Sequence, residues 1–290
     1  MSNLSTLSIG KHETVIRGAK LVYMVNGNGP VLLVQPGGAG WGGDISPYIE
    51  TLKPLEQVRT VVYLEPRGMG LSQRLENSSA YEMNEYVEDI EALRQYLDLP
   101  QLAILGHSHG GFVALKYAIK FPGQVERLIL IGTSPYFPQG EYEGWAKQRP
   151  GHAEAEAALE KIEQDTSIPP DEKLRAFLLT MLPTIHFHDF QAVSSQFQRI
   201  VRNMIISVEP YDYFWNHDID SYDVRESLGA IAAPTLVIVG DDEMPQFRLG
   251  SKLLGEGIPK ANVVTIERCG HWPMLEAPEK FFNLLMVFFS

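Results

Sequence analysis

The sequence predicts an α/β protein whose core is a mostly parallel β-sheet with helices on both faces. Short apolar runs alternate with segments of helical periodicity, as in proteins built from a parallel sheet and crossover helices. The runs are rich in Val, Ile and Leu, which is typical of strands buried on both faces. The alternation stops once, so we predict core portions at residues 1–134 and 225–290, with a helical cap inserted at residues 135–224.

The first half of the chain supplies six predicted strands and two predicted helices. Most of the strands are apolar, β-branched runs, and the helices repeat apolar residues every three or four positions. The first two strands flank Gly18 and form a predicted hairpin. The predicted strands cover residues 12–17, 20–25, 31–34, 60–64, 102–105 and 128–131, and the predicted helices cover residues 84–97 and 112–119.

Helical patterns replace the apolar strand runs between residues 136 and 223. Many aromatic residues accompany them, and we expect most of these to form the cap's own small core. Strands at residues 234–240 and 262–266 then restore the α/β alternation before a last helix. An insertion over the strand ends of a sheet is a natural lid for a binding site. The helical patterns of the cap cover residues 153–163, 172–182 and 187–204.

Ser108 lies in a G-x-S-x-G motif, because residues 106–111 read G-H-S-H-G-G. In a nucleophile elbow this motif forms a sharp turn between a strand and a helix, which projects the serine hydroxyl from the sheet. The motif alone is weak, since Gly and Ser are common in loops. Here an apolar strand precedes it and a helical pattern begins at Phe112, so both expected neighbours are present. The sequence therefore predicts that Ser108 is the nucleophile of a hydrolase or an acyl transferase.

A nucleophilic serine needs a base, because its hydroxyl is a poor nucleophile at neutral pH. In chains with a nucleophile elbow the order is Ser, then Asp or Glu, then His. Of the 8 histidines, His271 fits best, since it follows the strand at residues 262–266 on a loop before the last helix. His107 and His109 flank the serine on a tight turn, and we expect them to point away from it.

The acid that orients the histidine should follow a strand between Ser108 and His271. The continuous apolar run at residues 234–240 ends at Asp241, Asp242 and Glu243. Any one of the three carboxylates could hold the imidazole in the required tautomer. The spacing alone does not choose among them.

Two backbone N–H groups should stabilise the negative charge that develops on the substrate oxygen. One is expected from the residue after the nucleophile, His109. The other is expected from the glycine-rich loop at residues 35–43, where we choose Gly38, with Gly37 as the alternative. The loop lacks the G-K-[ST] ending of a phosphate-binding P-loop and does not read as a dinucleotide-binding motif.

Composition excludes several classes of partner. A net charge of −12 and a pI near 5.1 argue against nucleic acid and anionic membranes. The one cysteine permits neither an intrachain disulfide nor a cysteine-based metal site. No apolar run is long enough to cross a membrane, and the first eleven residues lack an apolar signal core, so we expect a cytoplasmic protein. The predicted chemistry requires no metal or organic cofactor.

These motifs resemble the α/β-hydrolase family over essentially the whole chain. The resemblance rests on residues 106–111, the R-G-M-G-L-S loop at residues 67–72, the strand at 234–240 with its acids, and G-H-W-P at residues 270–273. It implies a mostly parallel eight-stranded sheet, an inserted cap and a Ser–acid–His triad that acts without a cofactor. The serine places the chain with the acyl-transferring branch, since related dehalogenases and epoxide hydrolases carry an aspartate there.

Within that branch the chain looks most like the proline iminopeptidases. Asp242, Glu243 and Met244 are similar to the acid loop of those peptidases, which favours Asp242 as the triad acid, whereas the commoner family register gives Glu243. The loop at residues 36–40 reads P-G-G-A-G where the peptidases usually have H-G-G-P-G. An aminopeptidase must also bind a substrate ammonium group with carboxylates of the cap. Our candidates are Glu209 and Asp212, with Trp215 among their aromatic neighbours.

Several functions follow from this interpretation. The substrate would be a small molecule or a short peptide: an N-terminal residue or amino-acid amide, a small carboxylic ester or lactone, or a carbon–carbon bond in a diketone-like acid. A non-catalytic receptor on the same fold is disfavoured, because serine, acid and histidine are all in place. The sequence leaves the natural substrate and the oligomeric state open.

Overall fold

The computed structural model describes residues 6–39, 44–137 and 141–290, and its core is one eight-stranded sheet. The strand order is β1-β2-β4-β3-β5-β6-β7-β8; β1 and β4 each pair antiparallel with β2, and every other pairing is parallel. This confirms the mostly parallel sheet. The strands are β1 Gly10–Ile16, β2 Ala19–Gly27, β3 Val31–Gln35, β4 Thr60–Glu65, β5 Leu102–His107, β6 Val125–Ile131, β7 Thr235–Gly240 and β8 Ala261–Ile266.

Helices cover both faces of the sheet, as predicted. Successive strand residues point to opposite faces, so Ala103 packs in one hydrophobic cluster with Tyr48 and Phe281, and Ile104 packs in the other with Leu93 and Val113. The α-helices are α1 Ser46–Thr51, α2 Met83–Tyr96, α3 His109–Lys120, α4 Glu141–Ala146, α5 His152–Gln164, α6 Pro170–Thr180, α7 Leu182–Ile185, α8 Phe190–Asn203, α9 Val208–Tyr213, α10 Pro245–Gly257, α11 Pro273–Glu276 and α12 Pro278–Phe289.

Among the described residues, six α-helices, α4 to α9, lie between β6 and β7. We refer to residues 135–224 as the cap segment. Its two ends meet, because Tyr136 forms a β-bridge with Asp223 and the Val224 N–H donates to the Pro135 carbonyl oxygen at 2.8 Å. The periodicity located α5, α6 and α8, but it missed α4, α7 and α9, which have six residues or fewer. Within the described ranges, no helix is both long and apolar enough to cross a lipid bilayer.

Parallel strands bring the predicted site residues to one edge of the sheet. The carboxyl ends of parallel strands share an edge, which is where ligands bind in α/β proteins. Gly38 follows β3, Ser108 follows β5, and Gly132 follows β6. Glu243 and His271 follow β7 and β8.

Candidate active site

Ser108 occupies a tight turn between β5 and α3. Its φ of 54° and ψ of −123° are uncommon for a residue with a side chain. The turn is held by the Ser108 N–H, which donates to the Ile131 carbonyl oxygen at 2.8 Å. Gly106 permits the close approach of strand and helix, because a Cβ there would lie 2.6 Å from the Gly110 carbonyl oxygen. The local geometry is therefore that of a nucleophile elbow.

His271 is hydrogen-bonded to Glu243, and both side chains are buried. The His271 Nδ1–H donates to Glu243 Oε2 at 2.8 Å, and the other carboxylate oxygen accepts the Met244 N–H at 2.9 Å. A carboxylate only accepts hydrogen bonds, so this contact fixes the proton on Nδ1 and leaves Nε2 as the basic atom. Nε2 is buried and has no hydrogen-bond partner in the described part of the chain. The pair has the chemistry of a general base with its orienting acid.

The choice of Asp242 as the partner of His271 is wrong. Its carboxylate forms a two-pronged ion pair with Arg149 of the cap segment, at 2.8 and 2.9 Å, and also contacts His188 Nδ1 at 3.2 Å. Asp241 turns elsewhere again and accepts the Cys269 N–H at 3.2 Å. Three consecutive acids on a turn thus point in three directions, and only the third reaches the imidazole.

Three rings enclose the imidazole of His271. Phe247 stacks on it with 5.1 Å between ring centroids, and the rings of His107 and His186 lie at 4.7 and 4.4 Å. Burial lowers the pKa of both His107 and His186 well below its ordinary value. Since both rings stay neutral, neither adds a positive charge beside the imidazolium that His271 would form.

Two backbone N–H groups remain available beside the serine. Gly37 is engaged, because its N–H donates to the Tyr48 hydroxyl at 2.7 Å. Gly38 and His109 both line the same cavity as Ser108, and within the described residues neither N–H has an acceptor. The His109 N–H is also the first of its helix, where no intrahelical acceptor exists. Among the described residues, the two predicted donors thus have no acceptor, whereas the N–H group of the alternative, Gly37, is already bonded.

The cavity beside Ser108 has a volume of about 350 Å³ and is mainly apolar. No charged side chain lines it among the residues that the structure describes. Two buried lining residues carry a polar atom without a partner in those residues, His109 Nε2 and Gln246 Oε1. Burial lowers the pKa of His109 to about 3, so this ring is neutral too. The aromatic and aliphatic lining of the cavity includes Phe112, Phe137, Tyr142, Phe177, Leu182, Ile185, Tyr211, Phe214, Trp215, Met244 and Phe247.

The two cap residues singled out for substrate binding have different positions. Trp215 lines the cavity and is 43% exposed. Glu209 does not line it; its side chain is 45% exposed and pairs with Arg74 at 3.5 Å. Glu209 therefore does not face the cavity in this structure, and its carboxylate lies at the surface beside Arg74.

Comparison with known proteins decides the family. A family model described as alpha/beta hydrolase fold matches residues 30–278, which is most of the chain. The chain belongs to the alpha/beta hydrolase fold family. Membership of this family is consistent with the sheet order, the serine elbow and the buried histidine–carboxylate pair.

Relatives of this hydrolase have different named activities. It is 28% identical to a proline iminopeptidase from Pestalotiopsis fici, over 88% of this chain and 91% of the relative. It is 26% identical to a 2-hydroxy-6-oxononadienedioate/2-hydroxy-6-oxononatrienedioate hydrolase from Paraburkholderia xenovorans, over 94% of this chain and 88% of the relative. The crystal structure of an esterase from Rhodococcus sp. superimposes with a TM-score of 0.75 at 22% identity, covering 97% of this chain and 98% of that chain, and shows the fold alone.

Sequence reasoning missed three residues that shape the site of this hydrolase. His107 was given no role beyond flanking the serine, but its Nε2 contacts the backbone carbonyl oxygen of His271 at 2.9 Å. Tyr48 contacts His107 Nδ1 at 2.8 Å from a helix too short to predict. Gly132 has a φ of 50°, and a Cβ there would lie 2.8 Å from His271 Nδ1. Tyr48 and Gly132 belong to no motif, and His107 occupies a position that the G-x-S-x-G motif leaves unspecified, so no local signal identified them.

Gly132→Ala should disrupt the site while leaving the fold in place. The added methyl group would meet both His271 and Glu243, and the left-handed backbone conformation would be strained. Because a displacement of about 1 Å can cost about 10²-fold in rate, we expect kcat to fall by about that factor. Gly229→Ala is the control, since its Cβ would meet no atom within 4 Å. An unchanged kcat in Gly132→Ala would show that catalysis tolerates a displacement of His271 and Glu243.

Proposed function

We propose that this hydrolase cleaves small uncharged esters or lactones through an acyl-enzyme intermediate on Ser108. The observation that carries the proposal is an apolar cavity that contains the elbow serine and has no charged side chain among its described lining residues. A buried histidine–glutamate pair follows two neighbouring strands at the same edge of the sheet. In this proposal Ser108 is the nucleophile, His271 is the base with Glu243 as its orienting acid, and Gly38 and His109 are the N–H donors.

The proposed reaction has two halves. Ser108 Oγ attacks the substrate carbonyl carbon while His271 Nε2 takes the hydroxyl proton, and Glu243 stabilises the imidazolium that forms. The N–H groups of Gly38 and His109 stabilise the oxyanion of the tetrahedral intermediate. When the intermediate collapses, His271 gives its proton to the leaving alkoxide and the acyl group stays on the serine. His271 then activates a water molecule, which releases the carboxylic acid and restores the serine.

The cavity lining favours an uncharged substrate over the two charged alternatives. An aminopeptidase substrate carries an ammonium group, and a diketone-like acid carries a carboxylate. Either charge would lose its hydration on entering, and the described lining offers no counter-charge to compensate it. Glu209, the sequence candidate for binding an ammonium group, lies outside the cavity beside Arg74. The cavity therefore suits an ester or a lactone with an apolar acyl group.

The aminopeptidase remains the second candidate because of the relative from Pestalotiopsis fici. The two functions are separated by a pair of substrates, proline methyl ester with a charged amine and N-acetylproline methyl ester with an uncharged amide. We expect kcat/KM for the acetylated ester to exceed that for the free amine by at least about tenfold, which corresponds to about 1.4 kcal/mol. Measurements at neutral pH, where the free amine is protonated, check this.

Glu209→Gln and Ser108→Ala complete the comparison. Glu209→Gln should leave the preference and both values of kcat/KM unchanged, because the carboxylate lies outside the cavity. Ser108→Ala should abolish turnover of both esters, and that loss would assign the ester hydrolysis to this site. A preference for the free amine that disappears in Glu209→Gln would instead establish an aminopeptidase.

A further inference from the structure

A buried chain of hydrogen bonds joins three parts of the site. The Gly37 N–H donates to the Tyr48 hydroxyl at 2.7 Å, and the same hydroxyl lies 2.8 Å from His107 Nδ1. On the other side of the ring, His107 Nε2 lies 2.9 Å from the backbone carbonyl oxygen of His271. The side chains of Tyr48 and His107 are almost completely buried. The chain thus runs from the oxyanion loop to the loop of the base.

The direction of every bond in this chain is determined. The His271 carbonyl oxygen can only accept, so His107 carries its proton on Nε2. Burial lowers the pKa of His107 and raises that of Tyr48, so the imidazole is neutral and the phenol keeps its proton. His107 Nδ1 therefore accepts the Tyr48 O–H, and the Tyr48 oxygen accepts the Gly37 N–H. Each polar atom of the two side chains has a partner, with no alternative arrangement of protons.

We propose that Tyr48 and His107 are positioning residues that keep the oxyanion loop, the nucleophile and the base in register. The proposal rests on the proposed function. Gly37 directly precedes the oxyanion donor Gly38, and His107 directly precedes Ser108. The hydrogen-bond chain therefore connects Gly37, beside the oxyanion donor, with His107, beside the nucleophile. It ends on the backbone of the base, His271. Loss of one bond should let these groups shift relative to one another.

Tyr48→Phe tests the proposal with the smallest change. It removes the hydroxyl, so that neither the Gly37 N–H nor His107 Nδ1 keeps its partner. We expect kcat for an uncharged nitrophenyl ester to fall by about tenfold to a hundredfold, within the range for displaced catalytic groups, while KM stays within about twofold. Tyr117→Phe is the matched control, because Tyr117 is equally buried and its hydroxyl donates to Glu91 at 2.9 Å, outside this hydrogen-bond chain. It should lower the melting temperature and leave kcat unchanged.

His107→Gln provides a second variant and a test of connection. Its amide N–H can still donate to the His271 carbonyl oxygen, but it offers Tyr48 no acceptor at the Nδ1 position. If the residues act through one chain, adding Tyr48→Phe to His107→Gln should lower kcat by less than about threefold further. If the two residues acted independently on the structure, the decreases in kcat of the two single variants would multiply in the double variant. His107→Asn, which keeps an acceptor for Tyr48, should remain sensitive to Tyr48→Phe.

The outcomes separate the two proposals. A wild-type protein without Ser108-dependent ester hydrolysis would overturn the proposed function, whatever Tyr48→Phe does. Ser108-dependent hydrolysis with a wild-type kcat in both Tyr48→Phe and His107→Gln would overturn the positioning role alone. A loss of thermal stability with unchanged kcat, or an effect on KM only, would also overturn it. A lower kcat in both variants with the expected non-additivity would support it.

Discussion

Ser108→Ala is expected to lower kcat for an uncharged ester by about 10⁶-fold, the loss seen when a nucleophile of this type is removed from a working triad. The hydroxyl is the atom that becomes acylated, and no other side chain occupies the elbow between β5 and α3. His271→Ala should cost about as much, and the double variant should cost no more, because the two residues act as a unit. Initial rates with a nitrophenyl ester measure all three variants.

Ser251→Ala is the matched control for the nucleophile. Ser251 is buried in α10, and its hydroxyl has no hydrogen-bond partner in the described part of the chain. Its replacement should leave kcat unchanged. Retention of more than about 1% of the wild-type kcat in Ser108→Ala would be incompatible with the loss expected for a nucleophile.

Glu243→Gln is expected to lower kcat by about 10⁴-fold, as loss of the charged acid does in a serine triad. The amide can donate to His271 Nδ1 and thereby favour the tautomer whose Nε2 already carries a proton. Asp242→Asn is the matched comparison, since it neutralises the preceding acid. It should keep kcat within about threefold and lower the free energy of unfolding by about 1 kcal/mol, because it weakens a partly buried ion pair with Arg149.

The pair of variants distinguishes the two candidate acids directly. Initial rates give kcat for Glu243→Gln and Asp242→Asn, and urea unfolding gives the free energy of unfolding of both variants. If Asp242→Asn lost the larger part of kcat while remaining folded, the turn after β7 would have to rearrange during catalysis. The structure instead predicts that Asp242 fastens the cap segment and that Glu243 serves the histidine.

Local patterns were sufficient for the strands and for two members of the site. Buried parallel strands are short apolar runs, and β5 and β7 were identified to within two residues of their ends. Ser108 was identified because an elbow needs a strand, two glycines and a helix in immediate succession. His271 was identified because only one histidine follows a late strand. In each case the determining interactions lie close together in the sequence.

The acid could not be chosen from the residues alone. Asp242 and Glu243 are adjacent and chemically alike, and their directions depend on partners far along the chain. Arg149 lies 93 residues before Asp242, and it draws that carboxylate toward the cap segment. Glu209 failed as a candidate for the same reason, since Arg74 lies 135 residues before it. Periodicity and motifs contain no information about such long-range ion pairs.

The hydrogen-bond chain through Tyr48 and His107 was beyond sequence reasoning for a related cause. α1 is six residues long, too short for a hydrophobic period to identify. The orientation of His107 follows from the strand geometry of β5, which turns alternate side chains to opposite faces of the sheet. Ser108 projects into the cavity, whereas the preceding histidine is buried and reaches the loop of the base.

The central claim is tested most directly by trapping the acyl-enzyme. The wild-type protein is mixed with a nitrophenyl ester, quenched in acid within the first turnover, and examined by intact mass and peptide mapping. Our account predicts one acyl group per chain, on the peptide that contains Ser108, and none in Ser108→Ala. An adduct on another residue that persists in Ser108→Ala, together with ester turnover by that variant, would contradict it.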